Sequence, residues 1–315
     1  MIILASPSPA RGGEANTKRK TMSIRSGRRE GLKGIDISQE SLEKQHQLFH
    51  DVLKNGLYGL CFSAYEEGQE PGSILTEEQI RRRMTIIAPH IKAVRSFSCV
   101  EGNELIPKVA REFGLQTLVG AWLSDNKKLN DKEIEGLIET ARAGYVDIAA
   151  VGNEVLYRNE LSEEELLGYI NRVKEALPDI PVGYVDAYYE FTNHPRITDA
   201  CDVILSNCYP YWEGCHIDYS LVHIQQMYYQ ALHAAQGKKV IITETGWPTQ
   251  GTGLDDAHPS WENALRYFLN IQQWTQAHNI ETFYFSSFDE SWKTGAEGDV
   301  GAYWGLWDKD EKLKF

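Results

Sequence analysis

The chain has 315 residues and carries 32 Lys and Arg against 45 Asp and Glu, a formal net charge of −13. That balance argues against a nucleic-acid polyanion as partner and suits a protein with a neutral ligand. No apolar stretch reaches the ~18 residues of a membrane-spanning helix, and the length fits one α/β barrel, which commonly runs to ~250 residues or more.

Residues 1–35 read as a disordered basic tail, rich in Gly, Ser, Lys and Arg. Its opening Met1–Ala5 run is apolar but stops at Ser6-Pro7-Ser8-Pro9, short of the ~7–15 apolar residues of a secretory signal core. Met22 is a candidate alternative start. Residues 36–315 read as one domain without internal repeats, opening on an amphipathic helix over 38–56.

From residue 56 short apolar runs alternate with longer amphipathic ones. Strands are predicted over 56–65, 91–99, 115–123, 146–155, 180–189, 202–212, 239–247 and 281–290. All are rich in Val, Ile, Tyr and Phe, as buried parallel strands are. Between them lie helical patterns with start and stop signals. Thr76 is placed as an N-cap before two glutamates, and Ser162 with Glu165 forms a capping box. Gly114, Gly144 and Gly237 stand where helices should stop. Eight strands joined by seven crossovers predict a compact (β/α)8 TIM barrel. A doubly wound sheet would show a Gly-rich phosphate loop after its first strand, where this chain reads SAYEEGQEPG. No eighth helix follows residue 290, so the 38–56 helix either takes its place or closes the barrel bottom.

Five cysteines are present without CxxC or Cys/His ligand spacing. Cys61 and Cys99 sit in apolar runs that suit buried thiols, and a pair among Cys201, Cys208 and Cys215 stays open. No metal and no cofactor are expected, and the protein is expected to act as a monomer.

Barrel enzymes carry their active sites at the C-terminal strand ends. The fourth predicted strand ends in Asn153-Glu154, and the seventh in Thr243-Glu244-Thr245-Gly246-Trp247. Each hydrophobic run is thus broken by a carboxylate at the mouth, on roughly opposite sides of the barrel. Two carboxyl groups flanking one pyranose ring are what glycosidic cleavage needs: one protonates the leaving oxygen, and the other attacks the anomeric carbon or activates water. A lone glutamate at such a place is more often a solvated loop residue or an ion-pair partner. Two at matching strand ends are not so easily explained.

The segments VGNEVLYR (151–158) and ITETGWPT (242–249) resemble the acid/base and nucleophile motifs of glycoside hydrolase family 17. FDESWK (288–293) and NCYPYW (207–212) are further matches, and the resemblance covers residues 56–310. It implies a retaining glycoside hydrolase cleaving β-1,3-glucan, an endo-glucanase, or alternatively a β-1,3-glucanosyltransferase. Glu154 would be the acid/base and Glu244 the nucleophile. Asn153 would bind the sugar 2-hydroxyl or the nucleophile, and Tyr209 would orient Glu244. Glu290 and Lys293 would pair along the cleft, or form a purely structural bridge. Tyr65, Trp122, Trp212, Trp247 and Trp292 are candidates for stacking on sugar faces, with core packing as the alternative. Plant members carry Cys-Tyr-Gly after the first strand. Here the stretch is Cys61-Phe62-Ser63-Ala64-Tyr65, which points to the compact non-plant branch, where hydrolases and transferases mix.

Overall fold

The β-rich runs pair in sequence order as eight parallel strands, and the eighth closes on the first. The computed structural model describes residues 32–295 and 297–315. The strands are β1 (Leu57–Cys61), β2 (Ile91–Ser96), β3 (Gln116–Ala121), β4 (Ile148–Asn153), β5 (Val182–Ala187), β6 (Val203–Asn207), β7 (Lys239–Thr245) and β8 (Thr282–Tyr284). Outside them run α1 (Leu42–Asn55), α2 (Glu77–Ile87), α3 (Leu105–Glu112), α4 (Lys127–Arg142) and α5 (Glu163–Ala176). Then come the short α6 (Glu190–Asn193) and α7 (Pro195–Ala200), followed by α8 (Ser220–Ala234) and α9 (Trp261–Ala277). This is the (β/α)8 barrel.

Local signals explain the helix ends. Thr76 and Gln79, and likewise Ser162 and Glu165, exchange side-chain and backbone hydrogen bonds as capping boxes. Gly114, Gly144 and Gly237 take positive φ (72°, 85° and 93°), the left-handed exit that glycine allows without strain.

The strands are shorter than their composition suggests. Phe62, Ala64 and Phe288 lie beyond the paired segments yet stay buried, packed under the mouth loops. Burial therefore outlasts the hydrogen-bonded ladder, and apolar composition does not mark where a strand ends. Register shifts interrupt the ladder near Asn153, between Ser206 and Asn207, and between Ile242 and Thr245. Such irregularities re-aim side chains at strand ends.

Helix α1 settles the question of the missing eighth helix: it takes that place in the outer ring. It packs on α9 and on the turn that follows α2, and Phe49 meets Phe268 and Phe315 with ring centroids 5.1 and 5.0 Å apart. Ahead of it, the chain is fastened to α9. The Ile35 amide donates to Asn270 Oδ1 (2.6 Å), Arg266 Nε donates to the Ile35 carbonyl (3.1 Å), and Lys33 pairs with Asp218 (2.8 Å). The expected tail over 1–35 lies outside the described residues as far as residue 31, and its last residues belong to this anchor. All five cysteines are free, so no pair forms among Cys201, Cys208 and Cys215. No helix among the described residues is long and apolar enough to cross a membrane.

Candidate active site

Glu244 stands near the end of β7, where one donor reaches each of its oxygens. Arg95 Nη1 donates to Oε1 at 2.6 Å, and the Tyr209 hydroxyl donates to Oε2 at 2.8 Å. Arg95 comes from β2, is 2% exposed, and lies 4.2 Å from the centroid of the Phe97 ring. Its other terminal nitrogen donates to Asn153 Oδ1 at 2.7 Å. One guanidinium thus ties the end of β4 to the end of β7. A cation buried this deeply would cost several kcal/mol without a partner. Burial pushes the Tyr209 phenol well up, and the nearby Glu244 charge adds to this, so the hydroxyl keeps the proton it donates.

Glu154 follows directly after β4, in a sharp turn. Gly152 has φ 85° and Glu154 has φ 52°, a left-handed conformation uncommon for a residue with a Cβ. The turn is held by the Glu154 amide donating to the Val185 carbonyl (2.8 Å) and the Arg158 amide donating to the Glu154 carbonyl (2.8 Å). The side chain receives a hydrogen bond from Asn207 Nδ2 at 2.7 Å, and Asn207 Oδ1 in turn accepts from Thr243 (2.9 Å). Asn207 can therefore present only its NH2 side to Glu154. Burial pushes the Glu154 carboxyl up to about 7; the charges of Glu244 and Asp186 add to this, while the Asn207 hydrogen bond opposes it. Such a group carries a proton that it can give away near neutral pH.

A second cluster borders Glu244. Lys293 Nζ pairs with Glu290 at 2.6 Å and lies 4.3 Å from the centroid of Phe285. Burial opposes the Lys293 charge, but Glu290 and Glu297 outweigh it and raise its pKa. Glu297 is a further carboxyl here, pushed up to about 7 by burial against the pull of Lys293. The Trp292 indole N–H donates to Glu290 (3.1 Å), and Tyr65 meets Trp292 edge-on at 5.9 Å. Tyr65 also accepts from Asn103 (3.2 Å).

The predicted residues therefore fall into two linked groups, Asn153, Glu154, Tyr209 and Glu244 in one, Tyr65, Glu290, Trp292 and Lys293 in the other. Trp247 joins neither, and the expectation of a stacking role there is corrected. Its indole is 1% exposed, packs on Tyr211 and Tyr267, and donates to the His258 carbonyl (3.0 Å). Trp122 carries Arg158 over its ring at 4.7 Å, whereas Trp212, 38% exposed, lies on Trp304 at 5.4 Å. Sequence reasoning missed Arg95, Asn207 and Glu297. Arg95 left a signal, a charge near the C-terminal end of β2, on the same face as Ala93 and opposite the exposed Lys92. Asn207 and Glu297 left none.

A closed parallel barrel with a proton-holding glutamate after its fourth strand and a cation-held glutamate on its seventh defines a barrel glycoside hydrolase. The chain belongs to the BtgE/BtgC glycoside hydrolase domain family, within glycoside hydrolase family 17, matching it over residues 59–305. It is 30% identical over 258 residues to a Candida albicans protein named glucan 1,3-beta-glucosidase BGL2, covering 74% of this chain and 83% of that one. The glucan 1,3-beta-glucosidase of Saccharomyces cerevisiae is 27% identical over 252 residues, 71% of this chain and 79% of that one. A crystal structure of the family 17 β-1,3-glucanosyltransferase from Rhizomucor miehei superposes with a TM-score of 0.74 at 29% identity, over 82% of this chain and 96% of that one.

Proposed function

We propose that this glycoside hydrolase cleaves β-1,3-glucan internally and with retention of configuration. Glu154 would act as acid/base and Glu244 as nucleophile. The observation that carries the reading is the unlike environment of two carboxyl groups joined in one hydrogen-bond network. Glu154 gives its proton to the glycosidic oxygen as the bond to the anomeric carbon breaks, and a Glu244 oxygen forms an ester to that carbon. Water then gives a proton back to Glu154 while its oxygen displaces Glu244, restoring both groups. Asn153, fixed by Arg95 through its Oδ1, would offer its amide NH2, which has no hydrogen-bond acceptor among the described residues, to a sugar hydroxyl. The Tyr65–Trp292–Glu290–Lys293 row offers one aromatic edge and a polar pair along the cleft.

A second reading is favoured by the likeness to the Rhizomucor miehei glucanosyltransferase. There a sugar hydroxyl replaces water in the second step. Incubation with laminari-oligosaccharides and product sizing separates the two: shorter products alone mean hydrolysis, longer ones mean transfer. No turnover of β-1,3-linked substrates would remove both. The same reading treats residues 36–315 as one glycosidase domain, preceded by a basic tail over 1–35 and working as a monomer. Light scattering at the mass of two chains would overturn the last point.

A further inference from the structure

On β5, between the strands that carry Glu154 and Asn207, lies a pair that the reaction scheme above does not use. Asp186, near the end of β5, is 0% exposed, and among the described residues no Lys or Arg hydrogen-bonds it. Its carboxylate accepts from the Tyr184 hydroxyl in a short hydrogen bond, from the Ala187 amide (2.7 Å) and from the Tyr157 amide (3.4 Å). The Tyr184 oxygen in turn accepts from the Leu156 amide at 2.9 Å. Tyr184 also packs near Gly152, where an added Cβ would meet its ring at 3.4 Å. The two amides so captured belong to the turn just after Glu154, where N–H groups lack carbonyl partners, as in the first turn of a helix. Two side chains of β5 therefore hold the backbone that keeps Glu154 in its left-handed conformation.

We propose that Asp186, acting with Tyr184, is a positioning residue for the acid/base Glu154: it fixes the turn that aims the Glu154 carboxyl and sets a buried negative charge behind it. The inference rests on the assignment of Glu154 made above. A carboxylate whose charge is met by dipoles rather than by a cation still repels a second negative charge nearby, so Glu154 retains its proton. Glu154 and, from the start of α6, Tyr189 and Glu190 face the pair, while Arg158 from the turn after β4 and Glu244 from β7 face Glu154 itself. Burial pushes Asp186 up to about 6 against its three hydrogen bonds, below the value of about 7 for Glu154.

The test compares two substrates that differ in their need for an acid. Laminaritetraose has a poor leaving group that must be protonated. In a 2,4-dinitrophenyl β-laminaribioside the dinitrophenolate leaves without protonation. Asp186→Asn should lower kcat/KM on laminaritetraose about ten- to a hundredfold while changing kcat/KM of the aryl substrate, which reports the ester-forming step alone, by less than about threefold. The alkaline limb of kcat/KM on laminaritetraose should move to lower pH. Tyr184→Phe keeps the ring and the fold, and should show the same split with a smaller loss. It also serves if Asp186→Asn does not fold. Equal losses on both substrates, or no loss on either, would overturn the inference. Glu154→Ala is run in parallel. If it fails to separate the two substrates, the assignment of the acid/base falls. If it separates them and the β5 variants do not, only the inference falls.

Discussion

Around Glu244 the barrel supplies a guanidinium to one carboxylate oxygen and a phenol to the other, near the C-terminal end of β7. Around Glu154 it supplies an amide N–H, a nearby carboxylate and a left-handed turn. The first setting fixes a group in place by charge, and the second gives its group burial and a nearby carboxylate, with the Arg158 charge only a lesser pull, so that it holds a proton. Two residues of the same type are thus given different chemistry by what stands behind them. The contrast shows where each half can be damaged.

The largest effect should follow Glu244→Ala. Removing the group that forms the ester should lower kcat by at least about 10⁴-fold on every substrate, activated or not. Near-normal turnover would end the comparison altogether. Next comes Glu154→Ala, expected to cost about 10²- to 10⁴-fold on glucan. In the unchanged enzyme the acid is present below its pKa and lost above it, so kcat/KM on glucan should decline as pH rises through about 7. In Glu154→Ala that limb should vanish; a limb that persists would place the titrating acid elsewhere. The smallest effect is expected for Tyr209→Phe, which removes one hydrogen bond to a charged group and leaves Arg95 in place. A loss of about tenfold in kcat is expected, with KM little changed. A shift in KM alone would mean that Tyr209 serves substrate binding rather than the placement of Glu244.

Much of this architecture is legible along the chain because its causes are local. Thr76, Ser162 and the terminal glycines act within a few residues of themselves, and a buried parallel strand shows as an apolar run. A glutamate that interrupts such a run at its C-terminal edge is equally visible, which is why Glu154 and Glu244 stand out. What stays hidden is convergence across strands. Asn207 reaches Glu154 only because β6 lies beside β5 and its ladder slips by a residue at its end. Trp247 follows Glu244 closely in sequence yet faces the layer outside the barrel, because the chain has already left the strand. Asp186 reads as an ordinary strand-end acid until the turn after β4 is seen to rest on it. Such relations depend on register and bulge, which no single segment records.

The place of α1 bears on how the molecule is assembled. Its apolar stripe, with Phe49 and Leu53 at its centre, is translated well before its partners Phe268 and Phe315. Until they arrive, the stripe has nothing native to cover it and is open to holdase chaperones or to self-association. Closing this seam joins residues very distant in sequence, the kind of contact that slows folding. The outer ring is therefore sealed late, and a lesion at Phe49 should show in the yield of folded protein before it shows in the chemistry at the barrel mouth.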